Sequence, residues 1–248
     1  MKLKILGSGS SGNCYLLQNK NECLIIEAGV NIKQLKIALD FDFSKVVGCI
    51  VSHEHNDHAK EIQSIQALGI NCYFSEGTAL TAIKSTNHNP RTKIIKHGQT
   101  FAAGNFKIMG FDIKHDAAEP LGFLIYHPDC GKVLFITDSK YCNYKFKNLN
   151  NIIIEANYSN EIITSKYTAE NNKLFLRNRI LDSHLSIENC IDLLKSNDLS
   201  QINNIILIHL SDSNSHEKDF VKQIEDLTAK TVLSANQGME IPFCKSPF

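Results

Sequence analysis

Four potential metal ligands fall within six residues in His53-Glu54-His55-Asn56-Asp57-His58, directly after the apolar run Val46-Val47-Gly48-Cys49-Ile50-Val51. Imidazole nitrogen and carboxylate oxygen suit zinc, manganese or iron. Alternate residues of an extended segment point the same way, so His53, His55 and Asp57 can converge, while the single step to His58 turns its ring towards a second ion. Two ions about 3.5–4 Å apart divide this set naturally, His53 and His55 serving one, Asp57 and His58 the other. A polar loop that happens to be rich in histidine is the plain alternative, and the completeness of the six-residue set weighs against it.

Two ions need more ligands than one loop supplies. His115 follows the strand-like run 106–113, Asp138 ends Val133-Leu134-Phe135-Ile136-Thr137, and His209 ends Ile205-Ile206-Leu207-Ile208. All three sit where a strand delivers side chains to a sheet edge. The assignment that fits gives His53, His55 and His115 to one ion and Asp57, His58 and His209 to the other, with Asp138 bridging. Such a pair lowers the pKa of a bridging water, and Asp57 and Asp138 orient the hydroxide and accept its proton. His184, in Ser183-His184-Leu185-Ser186, stands at a helix entrance, where it either protonates a leaving alkoxide or serves as a capping-loop residue. Tyr141 reaches a substrate oxygen or belongs to the core. Ser10, Ser11, Gly12 and Asn13 form a short loop whose amides can cradle a phosphate, although a tight hairpin turn accounts for them nearly as well. His88, His97, His127 and His216 lack a strand-end pattern and read as surface or loop residues, and Lys33, Lys36, Lys60, Lys84 and Lys93 as solvated faces.

The elements that must position these residues alternate in type. Strands are expected near 2–6, 14–18, 22–27, 46–51, 71–74, 93–96, 106–113, 120–127, 132–137, 151–155, 204–209 and 231–234. Helical patterns fall near 31–39, 58–68, 77–86, 160–178, 186–196 and 216–228, with Ser186 placed to cap the helix that carries Ile187, Cys190, Ile191 and Leu194. With 248 residues, 43% of them hydrophobic, and no linker, repeat or low-complexity tract, the chain is expected to fold as one domain, 1–248. Lys and Arg total 26 and so do Asp and Glu, so any contact with nucleic acid must come from a local patch. The eight cysteines form no Cys-x-x-Cys pair and sit in apolar runs, as free thiols do in a reducing compartment. The amino terminus lacks the apolar core of a signal peptide, and no run approaches a membrane span, which points to the cytoplasm and away from membrane partners.

On these residues the chain resembles the metallo-β-lactamase superfamily, whose His-x-His-x-Asp-His signature reads here as His53, His55, Asp57 and His58, with His115, Asp138 and His209 in the expected order. The segments 6–13, 114–122 and 183–186 resemble its YycJ-like branch. The resemblance implies an α+β fold, a four-layer αββα sandwich. It also implies two divalent ions, zinc or manganese with iron possible, and hydrolysis of phosphodiesters, with 5′-exonuclease action on DNA. Ser11, Asn13, Tyr141 and Asn157 are carried over as substrate-contacting residues and Asp57, Asp138 and His184 as catalytic ones. Two departures stand out. Glu27 occupies a strand end where the superfamily usually has Asp, and Glu155-Ala156-Asn157-Tyr158-Ser159 replaces Glu-x-Asn-His-Asp. A hydrolase of small molecules (cyclic nucleotide, lactone or thioester) accounts for the same ligands. An iron redox enzyme is disfavoured because diiron members typically carry a carboxylate where His55 stands, and a non-catalytic module is expected to have lost ligands.

Overall fold

The computed structural model describes residues 1–83, 89–167 and 174–246; Lys84, His88 and parts of the helices expected over 77–86 and 160–178 lie outside them. Fourteen strands form two sheets among these residues. The first has the order β14 (Glu240–Pro242), β1 (Lys2–Gly7), β2 (Cys14–Gln18), β3 (Cys23–Ile26), β4 (Val46–Ile50), β5 (Cys72–Phe74) and β6 (Thr92–Ile94). The second runs β13 (Thr231–Ser234), β12 (Asn204–Ile208), β11 (Asn151–Glu155), β10 (Gly131–Ile136), β9 (Leu121–His127), β8 (Phe106–Asp112) and β7 (Thr100–Ala103).

Period-two alternation explains why the sheets stack. Leu3 and Ile5 of β1, Tyr15 and Leu17 of β2, and Leu24 and Ile26 of β3 meet Phe106, Phe123, Val133, Phe135, Ile153 and Ile206 from the second sheet in one core. The intervening Cys14, Leu16, Cys23 and Ile25 face outward onto Leu35 of α1 (Ile32–Ala38) and onto Ile62 and Ile65 of α3 (Ile62–Ala67). On the other side, Leu134, Ile152, Ile154, Ile205 and Leu207 pack on Cys190 and Leu194 of α7 (Ile187–Lys195) and on Phe220 and Ile224 of α8 (Glu217–Thr228). The layers are therefore helix, sheet, sheet, helix, as expected. Ser186 caps α7 through the Asn189 amide, and Ser75 caps α4 (Glu76–Ala82) through that of Thr78.

Each sheet changes character at one strand. Pairings are antiparallel from β14 to β3 and parallel from β3 to β6, antiparallel from β7 to β10 and parallel from β10 to β13. The parallel strands leave their carboxyl ends at one edge of the sandwich, where a strand-end residue meets its counterparts. Several expectations need correction. The helix expected over 58–68 is two, α2 (Asn56–Ala59) and α3, and α2 begins inside the ligand loop. Strands β7 and β14 went unrecognised because each is a short edge strand with little alternation to read. His127 is not a surface residue: it is buried against Glu22, with Nε2 2.8 Å from Oε1.

Candidate metal centre

Residues at the carboxyl ends of β3, β4, β8, β10, β11 and β12 converge on one spot. Three of them, Glu27, Asp138 and His209, hold φ of 69°, 44° and 53°, a left-handed backbone that non-glycine residues avoid. Each such residue costs on the order of 1–2 kcal/mol, and strain of this kind collects at functional sites. The extended geometry expected for 53–57 stops at His55, whose backbone is still extended. His55 is the N-cap of α2, so Asp57 and His58 are turned by a helix rather than by strand alternation.

The rings converge nonetheless. His53, His55 and His115 form one group, and Asp57, His58, Asp138 and His209 another, the candidate ligand atoms of each lying within 4.8 Å of one another. In the first group His55 Nδ1 lies 3.1 Å from both His53 Nε2 and His115 Nε2. His115 donates its Nδ1 proton to the Ser183 carbonyl at 2.7 Å, so in the neutral ring Nε2 presents a lone pair to the cluster. Nitrogens bound tetrahedrally to one zinc at about 2.0–2.1 Å stand about 3.3 Å apart, close to the spacing seen here. In the second group His58 Nε2 is 2.9 Å from Asp138 Oδ2 and 3.3 Å from Asp57 Oδ2, and His209 Nε2 is 3.3 Å from the same Asp57 oxygen. Asp138 Oδ2 also lies 3.5 Å from His53 Nε2, so one carboxylate oxygen reaches both groups. The donor set and its spacing fit divalent cations.

Protonation preferences differ between the groups. Burial and then the positive potential of His58 hold the His53 ring well below the ordinary imidazole range, and burial lowers His115. Burial would lower His58 and His209 as well, but the Asp138 carboxylate overrides it, pushing His58 well up and His209 up to about 9. Asp57 and Asp138 are held well below the carboxylate range: burial would raise both, and His209 and His58 outweigh it.

A second layer holds these candidate ligands in place. Glu27, buried, accepts the Ser52 amide at 3.2 Å and places Oε2 3.4 Å from His58 Nδ1, which makes no hydrogen bond of its own. The extra methylene of Glu27 thus spans the ligand loop, touching both the residue before His53 and the ring of His58. Glu155, also buried, accepts amides from Ser139 at 3.1 Å and Leu185 at 2.9 Å, and His184 Nδ1 lies 2.8 Å from its Oε1. Burial would lower His184; Glu155 and then Asp138 push it up to about 10. Glu155 thus has its oxygens engaged by Ser139, Leu185 and His184, and with Asp138, His184 and His209 it forms a third group whose candidate ligand atoms lie within 4.8 Å of one another.

The cavity above has a volume of 160 Å³ and is lined by Ser10, His55, Asp57, His115, Asp116, Asp138, Arg179, Ser183, His184 and His209. A larger open depression of 660 Å³ around Lys2, Lys4 and Lys45 gathers no histidine and lies away from this chemistry. Ser10 of the loop expected to cradle a phosphate lines the cavity, but Ser11, Asn13, Tyr141 and Asn157 do not. Asn13 is buried beneath it, donating to the Asp57 carbonyl at 3.3 Å and lying 3.1 Å from His58 Nε2. Asn157 is buried behind His209, donating to its carbonyl at 2.8 Å. Ser11 is exposed with its carbonyl accepting Lys60 Nζ, while Tyr141 is exposed outside the lining. Tyr158, which stands in place of a histidine, is buried among Ile163, Tyr167 and Ile180. Reading for strand-end ligands passed over Glu155, although it ends Ile152-Ile153-Ile154 by the same pattern that marked Asp138 and His209. Arg179 and Asp116 carried no such signal.

Comparison with known proteins agrees with this geometry. A family model described as a beta-lactamase superfamily domain matches residues 24–210. Exodeoxyribonuclease WalJ of Streptococcus pneumoniae is 27% identical, the alignment covering 98% of this chain and 92% of that protein. Exodeoxyribonuclease YycJ of Bacillus anthracis is 26% identical over 66% of this chain and 65% of its own length. Among solved structures, the metallo-beta-lactamase fold protein YhfI from Bacillus subtilis superposes with a TM-score of 0.70 at 17% identity, covering 97% of this chain and 98% of that one, a likeness of fold.

Proposed function

The chain belongs to the beta-lactamase superfamily, and from that premise we propose that it is a metal-dependent phosphodiesterase acting on DNA, an exonuclease that removes nucleotides from 5′ ends. The observation that carries the reading is the shared carboxylate: Asp138 Oδ2 stands 3.5 Å from His53 Nε2 and 2.9 Å from His58 Nε2, joining two ligand groups into one centre. Similarity to proteins named exodeoxyribonucleases over nearly the whole chain supplies the substrate class. In this reading His53, His55 and His115 hold one divalent ion and Asp57, His58 and His209 a second, zinc or manganese with iron also suited, and Asp138 serves both. Bound there, such ions supply Lewis acidity and lower the pKa of water so that hydroxide is available near neutral pH.

The chain's own groups do the rest. Asp57 and Asp138 present carboxylate oxygens to the floor of the cavity, where they orient the attacking water and accept its proton. His184 lines the same cavity with Nδ1 held by Glu155, so Nε2 is the atom that delivers a proton to the leaving alkoxide. The free cysteines, six of them buried, suit a reducing cytoplasm, and no helix among the described residues is long and apolar enough to cross a membrane.

The test is hydrolysis of single- and double-stranded DNA by metal-stripped protein resupplied with manganese or zinc. Cleavage that returns with metal and is absent from Asp138→Ala supports the reading; cleavage retained by that variant removes the bridging role. A second reading, hydrolysis of a cyclic nucleotide, lactone or thioester, is favoured by the 160 Å³ cavity and the zero net charge. Turnover of such compounds by protein that leaves DNA intact would establish it.

A further inference from the structure

Helix α6 (Leu174–Ser183) carries a stripe that starts in the metal cavity and ends in exposed apolar side chains. Ser183 and Arg179, one turn apart, both line the cavity. The helical repeat continues that face to Leu176, three residues before Arg179, and to Phe175, four before it. The helix is held in register from below: Ile180 packs with Tyr158, Ile163 and Tyr167, and His115 Nδ1 donates to the Ser183 carbonyl at 2.7 Å.

At its outer end the stripe is exposed among the described residues. Phe175 is 83% exposed and Leu176 43%. A phenyl ring this open contributes little to the core, and with Leu174, 48% exposed, and Leu176 it forms a run of exposed apolar side chains, the kind of patch that marks a binding surface. Arg179 is the one Lys or Arg side chain lining the cavity among the described residues. It is itself largely exposed, and its Nε lies 3.9 Å from Asp116 Oδ2, a long ion pair worth little. A guanidinium at the mouth and an aromatic ring one turn beyond are the two groups that a single nucleic-acid strand asks for, a donor fork for phosphate and a face for a base. Four residues of helix rise about 6 Å, the scale of one nucleotide step in an extended strand.

We propose that α6 is the track along which a nucleic-acid strand leaves the reaction centre, with Arg179 pairing the phosphate next to the scissile one and Phe175, flanked by Leu176, stacking the base beyond it. This rests on the phosphodiesterase reading and adds to it the surface that distinguishes a polynucleotide from a small diester.

The full-length, metal-loaded protein and its Phe175→Ala, Phe175→Trp and Arg179→Gln variants are compared on a labelled single-stranded oligothymidine and on bis(p-nitrophenyl) phosphate, which is too short to reach from the cavity to Phe175. Phe175→Ala raises the KM for the oligonucleotide about 5- to 100-fold, the range of one lost base stack. It leaves the small diester within about twofold, and Phe175→Trp restores oligonucleotide binding. Arg179→Gln flattens the dependence of log affinity on log salt by about 0.7, one phosphate contact on a single strand. Equal losses on both substrates in Phe175→Ala, or none on either, overturn the track. So does a Phe175→Ala variant whose only change is a dimer-to-monomer shift in sedimentation, which assigns the patch to a second copy of the chain. If the wild type hydrolyses the small diester but not the oligonucleotide, the nuclease reading fails. The track is then decided by fluorescence anisotropy of the labelled strand, and absence of binding overturns it as well.

Discussion

His184 shows how one side chain acquires a role from its surroundings. Its ring stacks on His209 with centroids 5.3 Å apart, its Nδ1 is fixed 2.8 Å from Glu155, and it lines the cavity without joining either of the two groups that Asp138 links. Its proposed work is proton delivery, so His184→Ala is expected to lower kcat on DNA by about 10²–10⁴-fold while metal content stays at the wild-type level. Elemental analysis beside turnover checks this, and a variant that loses metal in step with activity would make His184 a ligand instead. Glu27 makes the complementary case. It touches no substrate, but it spans Ser52 and His58, and its charge is the group facing His58 Nδ1. Glu27→Gln keeps the shape and removes that charge, so metal affinity is expected to fall about 10–100-fold in a chelator competition, with kcat at saturating metal changed far less. The sequence shows this residue only as a departure from a pattern; the structure shows why the longer side chain is useful there.

At the scale of elements, the site depends on loops pressed against one another at strand ends. Gly29 follows β3, and a Cβ on it would collide with the Asp57 carbonyl at the start of α2; Gly12 in the β1–β2 loop is in turn pressed against Gly29. The Asn13 amide donates to the Asp57 carbonyl at 2.7 Å and the Gly29 amide to the Asn13 carbonyl at 2.9 Å, so three loops share one backbone network. Gly29→Ala is therefore expected to destabilise by about 3 kcal/mol or more and to displace the second ligand group in the protein that still folds. Urea unfolding and metal stoichiometry measure the two effects, and a variant that retains both full stability and full metal content would show that the loops have room to part. This network was illegible in the sequence, which offered only a glycine-rich turn. The residues that cluster were legible as candidates because His53, Asp138 and His209 fall at the ends of apolar runs and His55, Asp57 and His58 follow His53 within five residues, a local pattern. Strand alternation would set Asp57 beside His53 and His55, whereas α2 turns it to the side of His58, so Asp57 and His58 are aimed by a helix and not by an extended chain. Edge strands β7 and β14, the burial of Asn13 and Asn157 beneath the ligands, and Arg179 in the cavity lining all depend on contacts between distant segments. No window of sequence holds those contacts.

Across the whole molecule, the two sheets must hold a fixed relation for ligands from both to meet. Glu27 and the ligand loop come from the first sheet, while His115, Asp138, Glu155 and His209 come from the second. The inter-sheet core sets the spacing, and a second tie lies at the opposite ends of β3 and β10 from the metal groups. There Glu22, buried in the β2–β3 turn, accepts the Asn105 amide at 2.8 Å, the Asn105 side chain at 2.7 Å and His127 Nε2 at 2.8 Å. His127 Nδ1 accepts the Asp129 amide at 3.0 Å, which fixes the proton on Nε2 and makes it the donor to Glu22. Burial alone would raise the Glu22 carboxyl; the donors from Asn105 and His127 outweigh it and hold the group below its ordinary value. A carboxylate depressed on folding stabilises the protein fully above its unfolded pKa, about 4.3, and that contribution drains away as the pH falls through the lower folded value. Glu22→Gln should accordingly cost about 1–3 kcal/mol at pH 7, because a neutral amide replaces a charged acceptor and turns an NH₂ towards donors. As the pH falls below the unfolded value the charged contribution drains away, so the gap between the two proteins should narrow towards acid. Urea midpoints for both at pH 7, 5 and 3.5 trace this. A gap that stays constant with pH would mean that the tie works through shape and not through charge, and no gap at any pH would leave the inter-sheet core alone to keep the two sides of the candidate metal centre in register.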